Sequence, residues 1–274
     1  MNLRHQALDA LLEANPSAKV DAARALLASV QAMPDHGWLT PAVCAEDIVL
    51  TADQLSRLPG RPERPHLVPS TKVPHRSPFT LEGRAALLHA ICHIEFNAIN
   101  LALDAVWRFG GMPAHFYLDW VKVAGEEALH FSLLREHLLT LGHDYGDFDA
   151  HDGLWTMCAK TSDDILARMA LVPRTLEARG LDATPLIQSK LTRAGDLRSV
   201  EILDIILRDE IGHVRIGNHW FHHLCTQRGV DAMVIYPQLV EQYEAPLLKP
   251  PYNEAARRAA GFTEAEMAFL LGVG

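Results

Sequence analysis

The chain has 274 residues, of which 49% are hydrophobic and 22% charged, with a formal net charge of -9. That composition excludes a disordered chain and supports a sizeable buried core. The acidity argues against a generic binder of nucleic-acid backbones, and no apolar run approaches the ~18 residues of a membrane span. The N-terminal Met-Asn-Leu-Arg-His-Gln lacks the apolar stretch of a signal peptide, so the expected location is the cytoplasm. Cys44, Cys92, Cys158 and Cys225 are scattered and form no Cys-x-x-Cys pair. The unusual count is histidine, 15 against 25 lysines and arginines, and its meaning depends on where each one sits.

In chain order, residues 3–14 and 18–32 have apolar residues at helical spacing and are separated by Asn15-Pro16-Ser17. Residues 57–84 hold six prolines and six basic residues against Glu63 and Glu82, a local charge of +4. The expectation is an extended arm on the surface of the helical domain C-terminal to it. A first long helix runs from about Leu81 to Phe109 and stops at Gly110-Gly111; a second runs from about His115 to Leu141 and stops at Gly142. Residues 142–160 read as a structured crossover rich in turn residues. A third helix opens at Thr161-Ser162-Asp163-Asp164 and runs to Arg179 before Gly180, with Pro173 bending it. A short helix at 185–194 precedes a fourth long one, Asp196 to Arg228, ended by Gly229. Residues 245–261 then pair an extended stretch with a short helix that wraps the helices or covers a site as a lid. The expected fold is all-α. Its segments are an N-terminal helical stretch (1–56), the basic arm (57–79), a four-helix bundle (80–230) and a C-terminal extension (231–274).

The second long helix carries Glu127-x-x-His130 and the fourth Glu210-x-x-His213. Residues three apart on a helix share a face, so each pair can address one point. Sixteen glutamates among this many histidines give about one such match by chance, and Glu63-x-x-His66 in the proline arm is that kind of match. Context separates the other two. Glu127 and His130 share a face with Val123, Ala124, Phe131 and Leu134; Glu210 and His213 share theirs with Leu203, Ile206, Leu207 and Val214. Ionisable groups on an apolar face need a partner or a metal. The first and third helices repeat the anomaly at Glu95 and Glu177, and the intervals agree: 32 residues from Glu95 to Glu127, 33 from Glu177 to Glu210.

The order Glu, Glu-x-x-His, Glu, Glu-x-x-His resembles the ferritin-like di-iron superfamily of ferritins, rubrerythrins and di-iron monooxygenases. His93-Ile-Glu95, Glu126-Glu127-Ala-Leu-His130-Phe131, Tyr145-Gly-Asp-Phe, His151-Asp-Gly-Leu-Trp155 and Arg208-Asp-Glu-Ile-Gly-His-Val214 look more closely like a bacterial ferritin-like family catalogued as a domain of unknown function. That likeness covers roughly residues 80–260. It implies a ferritin-like bundle in which Glu95, Glu127, His130, Glu177, Glu210 and His213 hold two metal ions, iron in preference to manganese. The implied activity is an oxidoreductase that uses O2 or peroxide on a small organic substrate, with electrons from an external donor or the substrate. Homo-oligomers are compatible with it. Non-catalytic iron handling is the alternative. The three residues Glu177-Ala-Arg also resemble the tRNA-hydroxylating di-iron enzymes. Asp209 and His93 are candidates to orient a ligand imidazole. Glu126 can exchange roles with Glu127, although the apolar neighbours favour Glu127. Tyr117, Trp120 and Trp155 read as packing aromatics.

Overall fold

The computed structural model describes residues 2–33 and 35–272, so Met1, Pro34, Val273 and Gly274, which fall in the expected segments 1–56 and 231–274, lie outside the described residues. The fold is all-α. Among the described residues no strand forms, and one isolated parallel bridge joins Leu67 to Ala150. The chain divides into two compact units, Met1–Trp155 and Thr156–Gly274.

The first unit begins with helices α1 (Leu3–Leu12) and α2 (Pro16–Gln31), with Asn15 capping the second through a 3.1 Å hydrogen bond from Ala18 N–H. Short helices α3 (Pro41–Ala45) and α4 (Ala52–Ser56) lead into the arm. The two long helices are α5 (Leu81–Arg108) and α6 (Ala114–Thr140), packed on each other, with α1 against α5 and α2 against α6. Thr80 caps α5 by accepting from Gly83 N–H at 3.1 Å, and Gly142 takes the left-handed conformation (φ 82°) just after α6. By length and mean hydropathy alone α5 could cross a membrane, although polar residues interrupt it throughout and 78% of the most apolar window is buried inside the protein.

The arm is pinned to the rest of its unit. Val68 N–H and Ala150 N–H make hydrogen bonds of 2.8 and 3.0 Å with the carbonyls of Ala150 and His66. Arg61 grips Asp152 bidentately at 2.9 and 2.8 Å. At Gly60 a Cβ would stand 2.2 Å from the Leu12 carbonyl oxygen, so only glycine lets the arm approach α1.

Helix α7 (Gly153–Lys160) occupies the end of the expected crossover, which is therefore irregular only as far as residue 152. In the second unit Asp164 caps α8 (Ile165–Leu171). The expected bend at Pro173 takes the form of a π-helical segment, Val172–Glu177, which runs straight into α9 (Ala178–Arg193). A proline interrupts the ordinary i→i−4 ladder, and the wider turn accommodates it. Thr175 Oγ1 donates to the Ala170 carbonyl at 2.7 Å. The helix does not end at Arg179, and residues 185–194 are not a separate element. Gly180 keeps an ordinary helical backbone, its carbonyl accepts from Thr184 Oγ1 at 2.8 Å, and the stop comes at Gly195 (φ 77°).

Helix α10 (Leu197–Arg228) is capped by Asp196 and closed by Gly229 (φ 65°), as its sequence signals require. Among the described residues three helices follow: α11 (Ala232–Gln242), α12 (Glu254–Ala259) and α13 (Glu264–Leu271). Residues 245–261 are the expected extended stretch followed by one short helix, α12, and the flanking α11 and α13 add further helix to the extension. Its core gathers Ala256, Ala260, Phe262 and Met267 around Ala178, Leu181 and Val214. Arg257, fully buried, holds Asp182 of α9 through bonds of 3.0 and 2.6 Å.

Candidate metal centre

In the first unit Glu95 comes from α5, and Glu127 and His130 from one face of α6. All three are buried. His130 Nδ1 stands 3.2 Å from Glu95 Oε2 and 3.2 Å from Glu127 Oε2, so one imidazole bridges two carboxylates. Their ligand atoms lie within 4.8 Å of one another, a buried cluster that could hold a metal ion. Burial, reinforced by the charge on Glu127, pushes the Glu95 carboxyl up to about 8, while the His130 hydrogen bond pulls it back. A divalent cation would offset the charge of two carboxylates brought this close in a buried site.

The other candidates on these helices separate cleanly. Glu126 is half-buried and pairs with Lys122 at 3.0 Å, one turn earlier on α6. His93 sits in a different network: Nδ1 is 2.9 Å from the Tyr145 hydroxyl and Nε2 3.2 Å from the His151 carbonyl. Burial, with His89 nearby, lowers it to about 3, so the ring is neutral. His89 Nε2 accepts from Gly146 N–H at 2.9 Å, and its ring stacks on Tyr145 at 5.4 Å. These two histidines, with Asn97 one turn beyond His93, anchor the 143–152 loop to α5. No local signal announces that network, because its partners lie 50 to 60 residues away and loop spacing has no periodicity. Tyr117 and Trp120 are buried packing residues; the Tyr117 hydroxyl also accepts from Met112 N–H at 3.1 Å and donates to the Phe109 carbonyl at 2.9 Å.

In the second unit α10 presents Glu210 and His213, both buried, with His213 Nδ1 3.5 Å from Glu210 Oε1. Glu177 is the last residue of the π segment and is half-buried. The segment presses close to α10, where a Cβ at Gly217 would meet the Pro173 ring at 2.5 Å. Asp209 is half-buried, and Arg208 donates to its two carboxylate oxygens at 2.9 and 3.0 Å. Glu63 and His66, the chance match in the arm, are both exposed.

A family model described as "Protein of unknown function (DUF455)" matches residues 12–268. The chain is also 56% identical, over 219 residues, to an uncharacterised protein of Haemophilus influenzae; the match takes in 77% of this chain and 76% of that protein. No solved structure matches it. With nearly its whole length inside the family match, the chain belongs to DUF455, a family of proteins of unknown function.

Proposed function

We propose that this chain is a ferritin-like carboxylate protein with a binuclear metal centre, iron in preference to manganese. In this reading it is an oxidoreductase that uses O2 or peroxide to oxidise a small organic molecule in the cytoplasm. The observation that carries it is the buried trio of Glu95, Glu127 and His130, with one imidazole nitrogen 3.2 Å from each carboxylate. The second unit's buried Glu210 and His213, preceded by Glu177, repeat the same order of ligand types, which supports a second ion held by a second half-set. Hard carboxylate oxygens with borderline imidazole nitrogens suit iron or manganese better than copper or structural zinc. When bound, a pair of ferrous ions supplies the electrons for oxidant chemistry. The chain's own residues orient the site and bury it: His130 Nδ1 stands within hydrogen-bond distance of both carboxylates, and all three side chains are out of solvent. The four cysteines are buried and free, so reducing equivalents come from a separate donor or from the substrate.

After reconstitution with Fe(II), elemental analysis should find about two irons per chain. Less than half an equivalent overturns the proposal.

A further inference from the structure

We infer that the Thr156–Gly274 unit carries a second binding site, for an apolar molecule with a protonated amine at its outer end. A cavity of about 530 Å³ lies among α11, residues 244–252 and α13, within the ~300–1,000 Å³ typical of small-molecule pockets. Its apolar wall includes Tyr236, Val240, Pro246, Leu248, Phe262 and Leu270. At its edge Leu247 and Phe269 are 78% and 54% exposed, apolar surface that a ligand's chain would cover.

Charge selects the head group. Arg174 and Glu266, both in the wall, neutralise each other through a 2.6 Å ion pair. The Arg174 guanidinium also donates to Asn218 Oδ1 at 2.5 Å and lies against the rings of Phe221, Tyr236 and Phe262, at 4.8, 5.1 and 4.7 Å. Both Nη groups of this cation are therefore engaged within the protein, while its buried Nε has no hydrogen-bond partner among the described residues. The remaining charges of the lining are Glu244, which Lys160 holds at 3.1 Å, and Glu241, which is exposed and has no ion-pair partner among the described residues. An anion entering this cavity meets net negative charge, whereas an ammonium group meets Glu241.

The site is independent of the metal reading, and its failure would leave the iron count untouched. The test is calorimetric titration of the full chain with n-octylammonium, 1-octanol and octanoate. One octylammonium should bind per chain, 1-octanol about three-fold more weakly, the size expected of one exposed charge pair, and octanoate more weakly still. Val240→Trp, which fills the cavity, should weaken all binding at least ~10-fold. Glu241→Gln, at an exposed position, should reduce octylammonium to the level of octanol and leave octanol unchanged, a readout that stands even if Val240→Trp does not fold. The inference is overturned if octanoate binds best, if Glu241→Gln leaves the three ligands in the same order and ratio, or if folded Val240→Trp binds normally. It is also overturned if sedimentation shows that Val240→Trp dissolves a self-association, which would assign the cavity to a second copy of the chain.

Discussion

Lys19 on α2 is fully buried, and its Nζ donates to the Leu11 carbonyl at 2.9 Å, the Gly60 carbonyl at 2.8 Å and Asn100 Oδ1. It thereby ties α1, the arm and α5, the helix that carries Glu95, to one point. Burial, with a smaller contribution from Arg61, lowers its pKa from 10.5 to about 7. Between those two values the unfolded chain holds a proton that the folded chain has released, so stability rises with pH across that window and is flat below it. The slope approaches 1.36 kcal/mol per pH unit, and integrating from pH 7 to pH 9 gives about 2 kcal/mol. Lys19→Met removes both the titration and the donor of three buried acceptors, so the variant should be less stable than the parent and should lack this gain. Urea unfolding followed by tryptophan fluorescence suits the test, because four of the five tryptophans lie in the first unit. Groups common to both proteins cancel in the comparison. The stability gap between parent and variant should widen by about 2 kcal/mol from pH 7 to pH 9. Parallel pH profiles would refute the reasoning, since they would mean that the three acceptors hold Lys19 charged throughout that range.

Three further outcomes are expected. His130→Ala should bring iron down from about two to at most one per chain with the helical circular dichroism unchanged, while Glu63→Gln leaves the count intact because its Glu-x-x-His is exposed. Gly217→Ala should lower stability by about 1–3 kcal/mol through overlap with the Pro173 ring. Adding Pro173→Gly, which removes both ring atoms that the new Cβ would meet, should recover part of that loss, and thermal melts showing simple additivity would mean the two positions do not press on each other. Asp182→Ala leaves the buried Arg257 guanidinium without its carboxylate, a change of about 3–5 kcal/mol. Limited proteolysis should then cut residues 245–272 sooner than in the parent protein, and unchanged cleavage would count against the pair as the anchor of that segment.

The long helices were legible because their end signals are local. Thr80 and Gly142 bracket the α5–α6 pair, and Asp196 and Gly229 bound α10, through hydrogen bonds to neighbours within a turn. Burial of Glu95, Glu127, His130, Glu210 and His213 was legible for a similar reason, since a helix of known period assigns a face to each residue. Gly180 misled because a glycine ends a helix only when it turns left-handed, and composition does not reveal that choice.

What the sequence determined by itself was the helical class, the course of the main helices and which acids and imidazoles share an apolar face. Tertiary structure alone decided that Lys19, Arg174 and Arg257 are interior residues, that His89 and His93 anchor a loop, and that the C-terminal helices enclose a cavity. The physical reason is the range of the interactions. Periodicity and capping act within a few residues, but a buried charge is tolerable only beside its partners, and apart from Leu11 beside Lys19 the ones that decide these burials sit 41 to 92 residues away.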